Sequence, residues 1–478
     1  MNVVDVVDKL KESIKIAINE EKYENALEYI NLAGSILYNY NQCYFDKELE
    51  ESIEIISYKI LGKSKLDKLN NDTIVFYDGF GLDTRGLAQI YLQALSKFKK
   101  VVYITKEKQK NDIPTIKSIL IKSNNISYFI PETAFINKIN FVKALIEEVK
   151  PKSIFMYTVP DDVIITTILH YYKNVIDRYQ INLTDHAFWL GGKCIDYCIE
   201  FRNYGSYISN KYRQISEKNL ILLPYYPIVN TSVKFEGYPF KFNVKNKKVI
   251  FSGGSLYKTF GGDDKYYILV DYILRSFDDT IFWYAGNGDR SKFDLLIKKY
   301  PNRIFLTSER KDLFQVLKHS YFYLSTYPIC GGLMFQYAAV AGKLPLTLKY
   351  DDCTEGFLIA QESLDIEFDD IDVLKEKIKK VLQDEKYLER EKNKIFNSVI
   401  SPQKFEENLK YLLERQKTAF KIELKPIENK NLLQEYANNM TYKNLCNIVA
   451  AHRKFCVFKL LPKEFLYGIY LKVKKIIN

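Results

Sequence analysis

The stretch VIFSGGSLYKT at residues 249–259 leads from an apolar strand pattern into two glycines, a hydroxyl and a lysine. Glycine lets the backbone approach a ligand closely, and a lysine just beyond such a turn can neutralise a diphosphate. The alternative is a surface lysine in an ordinary strand-to-helix loop, and this stretch alone favours neither. Its candidate ligand-binding residues are Gly253, Gly254, Ser255, Lys258 and Thr259.

A second stretch, YPICGGLMFQYAA at residues 327–339, follows the strand pattern YFYLST. Cys330, Gly331 and Gly332 would expose backbone N–H groups at a helix start, where the helix dipole favours anions. One pair of glycines is a weak signal, but two such loops in one Rossmann-like unit are what a nucleotide diphosphate needs. Residues 248–417 are therefore predicted to bind a nucleotide.

Strand and helix patterns alternate on both sides of these loops. Such alternation predicts an α/β protein with two Rossmann-like domains facing a cleft, in which ligands sit beyond the carboxyl ends of the strands. The predicted strands are TIVFYD (73–78), VVYIT (101–105), ISYFI (126–130), SIFMYTV (153–159), VIFSGG (249–254), TIFWYAG (280–286), RIFLTS (303–308), YFYLST (321–326) and LPLTL (344–348).

Four segments follow from changes in pattern along the chain. The Pro-rich LLPYYP at 222–227 and the basic KNKK at 245–248 indicate a linker between the two α/β domains. The ends read as helical, since apolar residues recur there at helical spacing. The predicted segments are a helical N-terminal region (1–66), a first Rossmann-like domain (67–235), a second Rossmann-like domain (236–420) and a basic helical C-terminal region (421–478).

The composition restricts the class of protein more than its activity. The chain has 478 residues, 47% of them hydrophobic, and a net charge of +11. Because lysine is spread over the whole chain, a solvated surface explains the charge better than nucleic-acid binding. The seven cysteines are widely spaced, which favours free thiols in a cytoplasmic protein. Neither a secretory signal nor a membrane span is expected.

The first α/β domain has its own candidate loop, DGFGLDTRG at residues 78–86, between a strand and a helix pattern. Gly79, Gly81 and Arg85 would face the cleft, where Arg85 could touch a diphosphate or an acceptor.

The run DHAFWLGG at residues 185–192 holds one of only four histidines and one of two tryptophans. A histidine at a strand end can act as a general base, because its pKa lies near neutrality. His186 is therefore the candidate base, with Asp185 beside it. The alternative is a buried histidine satisfied by backbone groups, and adjacent side chains on a strand tend to diverge.

SGGSLYKT, STYPICGGLMFQYAAVAGKLPLTL and DHAFWLGGKCIDYCIEFRNYG resemble segments of GT-B-fold glycosyltransferases, in particular the O-GlcNAc transferase and cytoplasmic N-glucosyltransferase group. The resemblance covers residues 72–417. It implies an acceptor domain followed by a donor domain that binds a nucleotide-diphosphate sugar, usually UDP-linked, without a metal. It implies that Lys258 meets the diphosphate, that Cys330, Gly331 and Gly332 receive phosphate, that Arg310 lies near the base, and that Gln336 or Tyr337 lies near the ribose.

The sequence departs from that family at the phosphate-binding helix. Many retaining GT-B enzymes carry two glutamates eight residues apart around this helix, and this pair is missing here. The departure favours an inverting transfer to a glycan, lipid-linked or protein acceptor. It also leaves open a catalytically inactive accessory subunit and, less readily, a sugar-nucleotide epimerase.

Residues 453–478 form a basic tail in which seven cations stand against the single acid Glu464. A basic amphipathic segment can lie on the inner face of an anionic membrane. The alternative is a helix packed back on the protein. The N-terminal helices are expected to brace the first domain or to mediate a homodimer.

Overall fold

The structure of the protein is a computed structural model that describes residues 2–83 and 86–477. The α-helices are α1 (Val3–Asn19), α2 (Tyr23–Tyr40), α3 (Lys47–Leu61), α4 (Gly86–Leu95), α5 (Pro114–Lys122), α6 (Phe135–Val149), α7 (Val163–Tyr171), α8 (Asn203–Lys211), α9 (Lys265–Ser276), α10 (Ser291–Lys299), α11 (Leu313–Lys318), α12 (Gly332–Val340), α13 (Ile371–Gln383), α14 (Glu385–Ile395), α15 (Pro402–Arg415), α16 (Lys430–Asn439), α17 (Tyr442–Ala451), α18 (Phe455–Leu460) and α19 (Pro462–Ile477).

The first sheet is parallel and has the strand order β3-β2-β1-β4-β5-β6-β7. Its strands are β1 (Asn70–Asp78), β2 (Lys100–Lys106), β3 (Ile126–Ile130), β4 (Pro151–Tyr157), β5 (Asp177–Ile181), β6 (Tyr197–Glu200) and β7 (Leu220–Leu222). The order reverses direction between β1 and β4. In the two central strands, residues 74–77 of β1 and 154–157 of β4 are buried and apolar, as expected for parallel strands covered on both faces.

The second sheet is also parallel and has the order β10-β9-β8-β11-β12-β13. Its strands are β8 (Lys248–Gly253), β9 (Thr280–Ala285), β10 (Ile304–Thr307), β11 (Phe322–Leu324), β12 (Pro345–Leu348) and β13 (Glu367–Phe368). Here the order reverses between β8 and β11. The prediction of two Rossmann-like α/β domains with helical extensions at both ends is confirmed.

The chain divides into two compact units whose borders differ from the four predicted segments. The first unit comprises the chain up to Leu223, Phe405–Pro426 and the residues from Leu433 onward, and the second comprises Pro224–Lys404 and Ile427–Leu432. The helical ends belong to the first unit because helices α1 to α3 and α17 share a hydrophobic core with the first sheet.

The segment predicted as a basic linker is packed instead on the second sheet. Phe240 packs against Phe305 of β10 with ring centroids 4.7 Å apart and the rings tilted by 45°, and the Tyr238 ring centroid lies 6.1 Å from that of Trp283 in β9. These aromatic contacts place the segment inside the second unit. Within the described ranges no helix is long and apolar enough to cross a membrane.

Candidate functional site

The two predicted phosphate loops lie side by side at the switch point of the second sheet. β8 and β11 are neighbouring parallel strands, and one loop leaves the carboxyl end of each. In open α/β sheets this is where ligands bind. A backbone hydrogen bond of 3.3 Å from the Ile329 N–H to the Lys258 carbonyl joins the loops. The structure therefore brings together two motifs that are some 70 residues apart in sequence.

Lys258 ends the first loop with its ammonium group directed at the second. A Cβ atom built on Gly331 would lie 3.8 Å from Lys258 Nζ. Burial lowers the pKa of Lys258, and only the Cys330 thiol opposes that shift. No carboxylate of the described residues forms an ion pair with this ammonium. A half-buried cation without an acidic partner is costly unless an anion completes the site.

Helix α12 begins at the same place and has no side-chain cap. In the part of the chain that the structure describes, the N–H groups of Gly332, Leu333 and Met334 have no protein acceptor, and the first helical bond runs from Phe335 to Gly331. Free N–H groups and the positive end of the helix dipole attract anions. The helix start and Lys258 thus point at one position suited to a phosphate.

The loop after β9 supports the first phosphate loop and was not predicted as part of the site. A Cβ on Gly286 would collide with the Gly254 carbonyl, so only glycine fits this approach. Leu256 N–H donates to the Asn287 carbonyl at 2.9 Å. Gly254 itself has φ +131°, which also requires glycine. The only signal in the sequence was the Gly-rich turn that ends TIFWYAG.

The other predicted residues of the two loops are Thr259, Ser255 and Cys330. Thr259 is buried, and its hydroxyl donates to the Leu256 carbonyl at 2.8 Å and contacts Tyr267 Oη at 2.6 Å. Thr259 therefore holds the turn, and its contact with a donor stays a prediction. Ser255 precedes the turn, and its side chain does not cap it. Cys330 Sγ lies 3.2 Å from Ser325 Oγ within the second loop.

Arg310 does not have the free side chain that contact with a base would need. Its guanidinium makes two hydrogen bonds of 2.7 Å to Asp312 and a third of 3.1 Å to the Gly237 carbonyl. It also packs over the Trp283 ring at 5.2 Å. Arg310 therefore holds the segment before β8 against the sheet, and its contact with a base stays a prediction.

Gln336 and Tyr337 are likewise engaged by the chain itself. Gln336 donates to the carbonyls of Tyr225 at 3.1 Å and Phe357 at 3.2 Å, and Tyr337 donates to the carbonyl of Ile228 at 2.7 Å. The bonds to Tyr225 and Ile228 hold the segment at the start of the second unit against α12. The structure thus gives no support to their predicted contact with a ribose.

His186 follows the carboxyl end of β5 in the first sheet and is about one third exposed, at 37%. Its Nδ1 lies 3.3 Å from the buried carboxylate of Asp185, although divergence of adjacent side chains was expected. Asp185 also receives two hydrogen bonds from Arg202, at 2.6 and 3.1 Å. Burial alone would raise the pKa of Asp185, but Arg202 and His186 hold it well below its usual range. A fixed carboxylate behind an accessible imidazole is compatible with a general base, and that role of His186 stays a prediction.

Three buried polar residues distant in sequence shape the loop that carries His186. Asn41 donates to the His186 carbonyl at 2.8 Å and accepts from Phe188 N–H at 3.0 Å. Arg213 donates to the carbonyls on either side of His186, at 3.0 and 2.6 Å. Glu50 accepts from three successive backbone N–H groups at residues 191–193. Nothing local in the sequence marked these residues.

The predicted cleft loop of the first unit is tightly packed. A Cβ on Gly79 would collide with Thr158 Oγ1, and Gly81 has φ +58°. Asp78, at the end of β1, accepts from Gly81 N–H at 2.8 Å and from Tyr103 Oη at 2.8 Å. Both glycines therefore serve the turn. Arg85 lies outside the described residues.

Metal ligands do not gather anywhere in residues 2–83 and 86–477: no group of three or more His, Cys, Asp or Glu side chains could hold an ion. The expectation that no metal is required stays a prediction.

Comparisons with known proteins agree with the fold. No family model and no curated protein matches the sequence. Among solved structures, the O-GlcNAc transferase of Thermobaculum terrenum is 11% identical with a TM-score of 0.51, and covers 91% of this chain and 81% of that one. HepE of Anabaena, solved with UDP-glucose, is 11% identical with a TM-score of 0.51 and covers 72% and 99%.

A UDP-N-acetylglucosamine 2-epimerase from Neisseria meningitidis is also similar, at 13% identity and a TM-score of 0.48, covering 72% of this chain and 98% of that one. At these identities the matches concern the fold alone. The resemblance of this chain to GT-B-fold glycosyltransferases is confirmed at that level.

Proposed function

We propose that this chain is a glycosyltransferase that moves a sugar from a nucleotide-diphosphate donor, UDP-linked, to a glycan, lipid-linked or protein acceptor with inversion at the anomeric carbon. The observation that carries the proposal is the ammonium of Lys258, which has no carboxylate partner in the described chain and is aimed at the uncapped start of α12.

The proposed chemistry needs stabilisation of a leaving diphosphate. When the bond between the anomeric carbon and the diphosphate oxygen breaks, negative charge develops on that oxygen. Lys258 and the N–H groups of α12 are already oriented around a position where such charge is stabilised, and preorganised electrostatics usually contributes most to catalysis. The proposal assigns the diphosphate to this position.

His186 is proposed to deprotonate the acceptor. Its imidazole takes the proton of an acceptor hydroxyl or amide as that atom forms the new bond to the anomeric carbon. Asp185 fixes the ring and stabilises the imidazolium that results, since Arg202 keeps this carboxylate ionised. An inverting transfer needs only this one base.

The reaction is assigned to the cytoplasm. All seven cysteines lie in the described ranges and are free thiols, which suits a reducing compartment.

The proposal is tested by incubating the full chain with a panel of nucleotide sugars while binding and slow release of free sugar are measured in parallel. We expect tight binding of one UDP-sugar together with slow hydrolysis to sugar and UDP. Binding without turnover, even with acceptors added, would support the inactive accessory subunit instead. Epimerised donor in place of free sugar would support the epimerase, and no binding of any donor would overturn the proposal.

A further inference from the structure

The C-terminal helix α19 packs against the first unit along one narrow face. At Gly468 the helix approaches α17 so closely that a Cβ atom would collide with the Cys446 carbonyl and the Ala450 side chain. Glu464, one turn before, is buried and accepts from Tyr442 Oη at 3.3 Å. The only acid of residues 453–478 is therefore removed from the surface.

The opposite face of α19 is apolar and exposed. Leu466, Ile469, Tyr470 and Val473 are spaced i, i+3, i+4 and i+7, which places them in one strip along a helix. Their exposed fractions are 59%, 37%, 55% and 48%. A helix that only covered the protein core would turn these side chains inward. In α19, Gly468 faces the protein and the apolar strip faces away from it.

Lysines border this strip. At 100° per residue, Lys463 and Lys474 fall beside it on the flank that also carries Tyr467, and both are exposed. Lys475 is also exposed, but it falls about 180° from Leu466 on the side of Gly468, so it does not border the strip. In the described part of α19 no acidic side chain accompanies them at the surface.

We propose that the strip of Leu466, Ile469, Tyr470 and Val473 docks on an anionic lipid bilayer, with Lys463 and Lys474 at the headgroups. An apolar face bordered by lysines lies in the interface of such a membrane, and aromatic side chains favour that depth. A second copy of the chain fits less well. A two-fold contact through this strip would place the lysines of the two copies near one another without acids to compensate.

This inference is independent of the donor site, so it is tested without nucleotide. The full chain is mixed with vesicles of phosphatidylcholine alone or of phosphatidylcholine with phosphatidylglycerol, and the bound fraction is measured by sedimentation. We expect binding to the anionic vesicles that weakens as salt is added. Changing Leu466, Ile469, Tyr470 and Val473 together to Gln should abolish it.

Changing Lys463 and Lys474 to Gln should lower the partition coefficient by about thirtyfold, since each lysine near an anionic surface contributes about fivefold. The matched control replaces Ile16, Ile55 and Tyr58, which are equally exposed on α1 and α3, with Gln, and should bind as the wild type does. Equal binding of the strip variant, or no binding by the wild type, would overturn the proposal. If the wild type forms a dimer that the strip variant does not form, and the wild type does not bind vesicles, the strip is a contact with a second copy of the chain.

Discussion

The buried pair of Asp185 and Arg202 explains how an acidic side chain can stay ionised beneath His186. Arg202 makes two hydrogen bonds to a carboxylate that is almost fully buried. Such a buried pair contributes little net free energy to folding, yet removing one partner leaves the other as an unpaired buried charge. The same Asp185 carboxylate positions the imidazole of His186. A change at Arg202 therefore affects both the stability of the protein and the proposed base.

Arg202→Met is predicted to destabilise the protein by about 3–5 kcal/mol at neutral pH, because Asp185 would stay buried without its cation. The depressed pKa of Asp185 adds stability above the ordinary pKa of an aspartate and loses it as the pH falls. The difference between wild type and variant should therefore shrink below about pH 4. Urea unfolding at several pH values measures this. A difference independent of pH, or no recovery in Asp185→Asn/Arg202→Met, would contradict it.

His186→Gln is predicted to slow transfer by about a hundredfold or more while leaving donor affinity unchanged, because glutamine keeps a hydrogen-bonding side chain but cannot accept the proton. Steady-state transfer and titration with the donor are compared on the same preparation. Normal turnover would remove His186 as the base, and a matching loss of donor affinity would show that the change acts through the structure.

At the scale of elements, the second unit depends on close backbone approach between the loops after β8 and β9. Gly286→Ala would drive a methyl group into the Gly254 carbonyl, which cannot rotate away. We predict a loss of about 1–3 kcal/mol in the free energy of unfolding. Gly331→Ala is the matched control, since its Cβ would meet atoms no nearer than 3.7 Å. Chemical denaturation of both variants measures their free energies of unfolding, and equal stability would contradict the predicted collision at Gly286.

The sequence predicted most strands correctly because central parallel strands are apolar on both faces. β5 was missed because its buried Arg178 reads as polar, and its burial depends on the pair with Asp196 at 2.6 Å and on a hydrogen bond to the Leu169 carbonyl at 2.8 Å. β6, β7 and β13 were missed because runs of four, three and two residues carry too little periodicity. These are tertiary effects that a local pattern does not contain.

The residues of the candidate site could be predicted from the sequence only where their signal was local. Lys258 and the start of α12 were found because their signals are local. The partners of Arg310 and Gln336 were not, since whether a polar side chain binds a ligand or the chain's own backbone depends on segments far away in sequence. For the same reason Asn41 and Glu50 could not be assigned to the His186 loop.

At the scale of the whole molecule, the N-terminal helices are part of the first unit's core. Ile53 and Ile56 of α3 are fully buried, and Ser57 donates to the Thr167 carbonyl of α7 at 2.7 Å. The expectation that these helices brace the first domain agrees with this packing, while a homodimer stays a prediction.

Deletion of residues 1–66 is therefore predicted to prevent folding of the first unit, because it would expose the apolar face of α7 and leave the His186 loop without Asn41 and Glu50. Circular dichroism and thermal unfolding of the truncated chain measure this, with the Ile16, Ile55 and Tyr58 surface variant as control. A truncated chain with an unchanged cooperative transition would contradict the prediction.

Calorimetric titration of UDP tests the central claim, that Lys258 and the start of α12 hold a diphosphate. Lys258→Ala should weaken UDP binding by about tenfold to a hundredfold, the loss expected for one hydrogen bond to a charged group. The exposed Lys298→Ala should bind as the wild type does, and neither variant should melt below the wild-type temperature. An unchanged affinity of Lys258→Ala for UDP would contradict the account.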